Sequence, residues 1–166
     1  MKLKRGILLL ILELMKAQET WFAEYAESHQ NKLNQKIHYI CVPAIFFSIV
    51  GMISSIPANL ITNTLQFSHP IFGNYATLVL ILLMIFYIRL RIKTFVLMAV
   101  FSIVSLYGNY YLSQITPLFY TSLGIFVIAW IGQFYGHEVE GKKPSFIKDI
   151  QFLLIGPAWV FEKMTR

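Results

Sequence analysis

The sequence predicts an all-α, polytopic membrane protein. The expected architecture is a four-transmembrane-helix bundle with both termini cytoplasmic. An N-terminal amphipathic helix precedes it, and a C-terminal interfacial or re-entrant helix closes it. Three observations carry this prediction. Only 13% of the 166 residues are charged, against about a quarter in ordinary soluble domains. Four stretches approach the roughly 20 apolar residues needed to cross a hydrocarbon core of about 30 Å. All 14 Lys and Arg residues fall on one side of those stretches.

The elements follow in order. Met1 to Met15 begins with basic residues and carries a short apolar run from Gly6 to Leu12. That pattern resembles a signal peptide, but Glu13 and Lys16 interrupt it and no small-residue cleavage site follows. An amphipathic helix on the membrane surface is the better reading. The expected spans are Ile37 to Ile56, Ile71 to Ile88, Thr94 to Leu112 and Leu118 to Tyr135. Gly73 and Asn74 dilute the start of the second. Phe146 to Phe161 contains Lys148, Asp149, Gly156 and Pro157, which favours an interfacial or re-entrant segment over a span. Residues 1–20 are therefore read as an extension, and 21–166 as a single membrane-embedded domain.

Orientation comes from the basic residues. Lys2, Lys4, Arg5, Lys16, Lys32 and Lys36 precede the first span; Arg89, Arg91 and Lys93 link the second and third; Lys142, Lys143, Lys148, Lys163 and Arg166 follow the fourth. Loops bearing Lys and Arg stay cytoplasmic. The net charge of +6 thus marks topology, and no basic face with exposed aromatics points to nucleic acid. Lys142 and Lys143 suit contact with anionic membrane lipid. No expected span carries an acidic or basic residue at its middle, which argues against a transporter or channel. The single cysteine, Cys41, excludes an internal disulfide and any Cys-rich metal site.

Three of the four histidines meet at one membrane depth. His29 and His38 lie just before the first span, and His137 lies just after the fourth. His69 falls in the opposite loop, where it reads as a polar turn residue before Pro70. His29 and His38 are nine residues apart, about half a turn out of phase on a straight helix. They can share a site only if the chain breaks, and the break is expected near Asn31 to Asn34. Asn34 shares a helix face with His38, and Gln133 and Glu140 share one with His137. Imidazole suits iron, zinc, copper and nickel. The residues alone leave open a metal site, a bis-histidine haem, and a purely interfacial role.

The same residues carry a resemblance. The matching pieces are Tyr25-x3-His29-x4-Asn34-x3-His38 followed by Pro43, then Ala129-Trp130-Ile131-Gly132-Gln133-Phe134-x-Gly136-His137-x2-Glu140-Gly141-x2-Pro144, and finally Gly156-Pro157 with Glu162. From Trp21 to Glu162 the chain resembles the Mpo-like family, relatives of the yeast endoplasmic-reticulum 2-hydroxy fatty acid dioxygenase. The resemblance implies an Fe2+-dependent dioxygenase that shortens 2-hydroxy fatty acids by one carbon, using O2. It implies His29, His38 and His137 as iron ligands. Glu140 would be a fourth ligand or a group behind the ligands. Asn34 and Gln133 would support the ligands or touch substrate. Phe46, Phe47, Phe126 and Trp130 read first as helix-packing or lipid-facing residues, and second as contacts for the acyl tail. The Ile- and Lys-rich usage and the lack of a retrieval signal point to a bacterial inner membrane rather than the endoplasmic reticulum. Other metal or haem redox proteins, and a non-enzymatic lipid-binding or assembly protein, are the rival readings.

Overall fold

The computed structural model describes residues 18–64, 66–141 and 146–165. Every regular element among them is a helix: α1 (Gln18–Ala26), α2 (Lys32–Ser54), α3 (Asn59–Thr64), α4 (Tyr75–Tyr87), α5 (Ile92–Ile115), α6 (Leu118–Glu140) and α7 (Phe146–Met164). The N-terminal amphipathic segment before residue 18 lies outside the described residues, as do Lys142 and Lys143. Gln18 to Thr20, assigned above to the extension, belong to α1. Gln18 Oε1 accepts from the Arg91 backbone N–H at 2.9 Å and from Thr94 Oγ1 at 3.0 Å.

Among the described residues, three helices are long and apolar enough to cross a membrane: α2, α5 and α6, at 23, 24 and 23 residues. The second expected span, Ile71 to Ile88, is not realised at full length. α4 has 13 residues, a rise of about 20 Å, short of the hydrocarbon core. Asn74 caps it by accepting from the Thr77 N–H at 3.0 Å. The apolar residues Ile71 and Phe72 are spent in the turn before that cap. The first span begins earlier than expected, at Lys32, because Asn31 caps α2 by accepting from the Leu33 N–H.

The packing is inside out for a water-soluble protein. The outward faces carry Ile81, Leu82 and Ile85 on α4, Val100, Ile103 and Val104 on α5, and Val127, Ile128 and Ile131 on α6. The buried interior holds Ser48, Ser105, Asn109 and Ser122. Lipid accepts the first set, and helix–helix contacts take up the second. Asn109 Nδ2 donates to the Phe47 carbonyl at 3.0 Å. Phe46 and Phe47 pack between helices, as first read. Phe46 meets Phe101 at 5.1 Å, and the Phe47 ring covers Gly108.

α2 and α6 make the most extensive contact in the fold. They run antiparallel: Gly51, near the end of α2, faces Ser122 at the start of α6, while Gly136 faces Asn34 and Gly132 faces Cys41. A Cβ at position 132 would lie 2.6 Å from Cys41 Sγ, and one at 136 would lie 2.5 Å from Asn34 Oδ1. The pair of glycines four apart is what lets the two backbones meet.

α7 is a full helix through Pro157, and its stretch from Ile155 to Val160 is buried against α1 and α2. The start of α2, the end of α6 and the α4–α5 link all lie at one end of the bundle, together with α1 and α7. The basic residues Lys32, Lys36, Arg89, Arg91, Lys93 and Lys163 lie at that end too.

Candidate metal centre

The site grows from a corner between two helices. α1 ends at Ala26, and residues 27–31 turn the chain into α2. The expected break is there and ends at Asn31, which caps the new helix. The break brings His29 round to face His38, about two turns into α2. His137 arrives from the last turn of α6.

The ligand atoms of His29, His38 and His137 all lie within 4.8 Å of one another. Ring centroids are 4.3 Å apart for His29 and His38, 5.1 Å for His38 and His137, and 5.4 Å for His29 and His137. The rings meet edge to face. No slot between any two of them would admit a porphyrin, which removes support from the haem alternative. His69 stays apart: its Nδ1 accepts from the Ile71 and Phe72 N–H groups in a local turn.

Hydrogen bonds set the tautomers. His29 Nδ1 contacts the Tyr25 carbonyl, and His38 Nδ1 contacts the Asn34 carbonyl at 2.9 Å. A carbonyl accepts only, so each Nδ1 carries the proton and each Nε2 keeps its lone pair. Both Nε2 atoms are buried with no hydrogen-bond partner among the described residues. Burial, opposed in part by the Tyr25 carbonyl, lowers the His29 pKa to about 4. That ring is therefore neutral at neutral pH. Neutral imidazoles, with backbone carbonyls on Nδ1 and bare lone pairs on Nε2, are the form that ligates metals. The donor set therefore fits a transition metal.

Glu140 takes a different place from a ligand. Its Oε1 accepts from the Gln30 N–H at 2.8 Å, and its Oε2 accepts from the Asn31 N–H and Asn34 Nδ2, each at 2.9 Å. The carboxylate thus sits at the N-terminus of α2, where free N–H groups and the helix dipole favour an anion. It ties the corner carrying His29 to the helix carrying His137. Asn34 completes the tie: its Nδ2 also donates to the Ser28 carbonyl at 3.2 Å. Gln35 Nε2 holds the His29 carbonyl at 2.7 Å.

Two aromatic neighbours of the site have no role predicted for them above. Tyr25 stacks on His29 at 4.0 Å with the planes 8° apart. Trp159 of α7 packs against both, at 5.1 Å from Tyr25 and 5.6 Å from His29. Tyr25 stood in the quoted motif, four residues before His29, and that spacing was its only signal. Trp159 comes from a sequence-distant helix and had none. Gly156 lets α7 approach, since a Cβ there would lie 3.1 Å from the Tyr25 hydroxyl. Glu162, buried in the same helix, faces Lys93 at 3.9 Å.

A family model described as 2-hydroxy-palmitic acid dioxygenase Mpo1-like matches residues 15–166. No curated protein and no solved structure matches the chain significantly.

Proposed function

The chain belongs to the 2-hydroxy-palmitic acid dioxygenase Mpo1-like family, and on that premise we propose that it is an Fe2+-dependent membrane dioxygenase. It shortens a 2-hydroxy fatty acid by one carbon, and residues 21–166 carry the activity. The observation that supports this most is the convergence of three imidazoles, two of them buried with Nε2 atoms that have no partner among the described residues. His29, His38 and His137 hold the iron. When bound, iron supplies oxygen activation and a cationic centre for the hydroxy-acid head. The overall change balances without another reductant: hydroxy acid plus O2 gives the shorter acid, CO2 and water.

The protein's own residues do the rest. The Tyr25 and Asn34 carbonyls keep His29 and His38 in the ligand tautomer. Trp159 and Tyr25 cover His29 and exclude water from that side. Glu140 and Asn34 fix the corner that presents His29. The acyl tail is membrane-soluble, so a site at one end of an apolar bundle lets the head reach the histidines while the tail stays in lipid.

The test is to purify the protein anaerobically, measure its metal, and add 2-hydroxypalmitic acid with and without oxygen. The expected result is stoichiometric iron and oxygen-dependent formation of the acid one carbon shorter. Iron without shortening rejects the reaction, and a well-folded protein that takes up no metal rejects the site.

The histidine end faces the cytoplasm, on the strength of the basic residues gathered there, and a bacterial inner membrane is the proposed location. In a Cys41→Ala background, Ser113→Cys is expected to react with an impermeant maleimide in intact cells. Lys93→Cys should react only after the membrane is opened. The opposite pattern inverts the topology.

A further inference from the structure

The geometry points to Gln133 as the residue that receives the polar head of the substrate, its Nε2 donating a hydrogen bond to the carboxylate. The inference rests on the dioxygenase reading and assigns a role within that same site. Gln133 lies four residues before His137 on α6, so the two side chains stack on one face of the helix. It lies between Gly132, which meets Cys41 of α2, and Gly136, where a Cβ would lie 2.5 Å from Asn34 Oδ1 and 3.5 Å from His38 Cε1. Its place is therefore the seam between α2 and α6, one turn deeper than His137.

Gln133 is 6% exposed, and its Nε2 is buried with no hydrogen-bond partner among the described residues. A buried NH2 without an acceptor is destabilising, and a leucine or methionine would fill similar volume without that penalty. The neighbouring donors are already committed. His29 Nδ1 and His38 Nδ1 serve backbone carbonyls, and Asn34 Nδ2 serves Glu140 and the Ser28 carbonyl. Trp130 Nε1, another α6 nitrogen with no hydrogen-bond partner among the described residues, lies a further turn from His137. Gln133 Nε2 is thus the nearest of these donors still able to meet an acceptor brought by a ligand. A carboxylate is acceptor-only and matches it.

The test uses the full-length, iron-loaded protein in detergent without oxygen. Wild type, Gln133→Met, Gln133→Leu and Gln133→Glu are titrated with 2-hydroxypalmitic acid, and metal content is measured in parallel. The expected result is about tenfold weaker binding for the Met and Leu variants, the loss of one hydrogen bond to a charged group. The Glu variant, which repels the carboxylate, should bind weaker still, and all three should keep their iron. Wild-type affinity in the Met or Leu variant overturns the role of Gln133 and leaves the enzyme reading intact. Loss of iron in a folded Met variant also overturns it, because Gln133 would then be supporting the metal. An iron-loaded wild type that does not bind the hydroxy acid rejects the dioxygenase reading, and the role of Gln133 with it.

Discussion

His38→Ala is expected to lose its metal and all oxygen-dependent turnover while the helices stay folded. His38 has the most constrained position of the three ligands. It is fully buried, its Nδ1 is held by the carbonyl one turn back, and its Nε2 has no hydrogen-bond partner among the described residues. Removing it takes one of three converging nitrogens from the site, while the Glu140 carboxylate is engaged by three N–H donors. Loss of an outer-shell partner alone costs about 10- to 100-fold in metal affinity, and loss of a ligand should exceed that. The fold should survive, because α2 is held to α6 over its whole length and not at His38 alone. Metal analysis of anaerobically purified wild type and variant, with circular dichroism of both, checks this. Iron retained by the folded variant would exclude His38 from the site.

Glu140→Ala is expected to weaken metal binding about 10- to 100-fold, the range for a group that orients ligands rather than being one. The carboxylate takes three N–H donors from residues 30, 31 and 34 across more than 100 positions of sequence. Without it the N-terminus of α2 loses its anion, a contribution of about 0.3–1 kcal/mol and up to about 2 when partly buried. The corner bearing His29 then loosens, while His38 and His137 remain on their helices. Amide exchange should rise at residues 27–31 and stay unchanged in the middle of α2. Glu140→Gln keeps an accepting oxygen and should fall between wild type and the alanine variant. Abolished binding in the glutamine variant would instead make Glu140 a ligand. Unaltered metal affinity and exchange in the alanine variant would remove the clamp.

The histidine motifs were readable because spacing and phase are local properties. Nine residues between His29 and His38 cannot fit one straight helix face, so a break was required, and a break is present. It occupies residues 27–31 and ends at Asn31, a residue type suited to capping, at the start of the expected range. The second span was misjudged. Hydropathy counted Ile71 and Phe72 as part of a helix, but Asn74 starts α4 only after them.

The sequence by itself determined that the chain is helical and built for lipid, that three histidines gather at its basic end, and which family it joins. Composition, period and charge placement depend on neighbours in the chain, and those are all present in the sequence. Only the tertiary structure decided where Glu140, Trp159 and Gln133 lie relative to the histidines. A carboxylate three residues from His137 could have turned to a metal or to the end of another helix. The free N–H groups of α2, more than 100 residues away in sequence, claimed it. Such a choice depends on which donors come within hydrogen-bond reach after packing, and no spacing in the sequence records that.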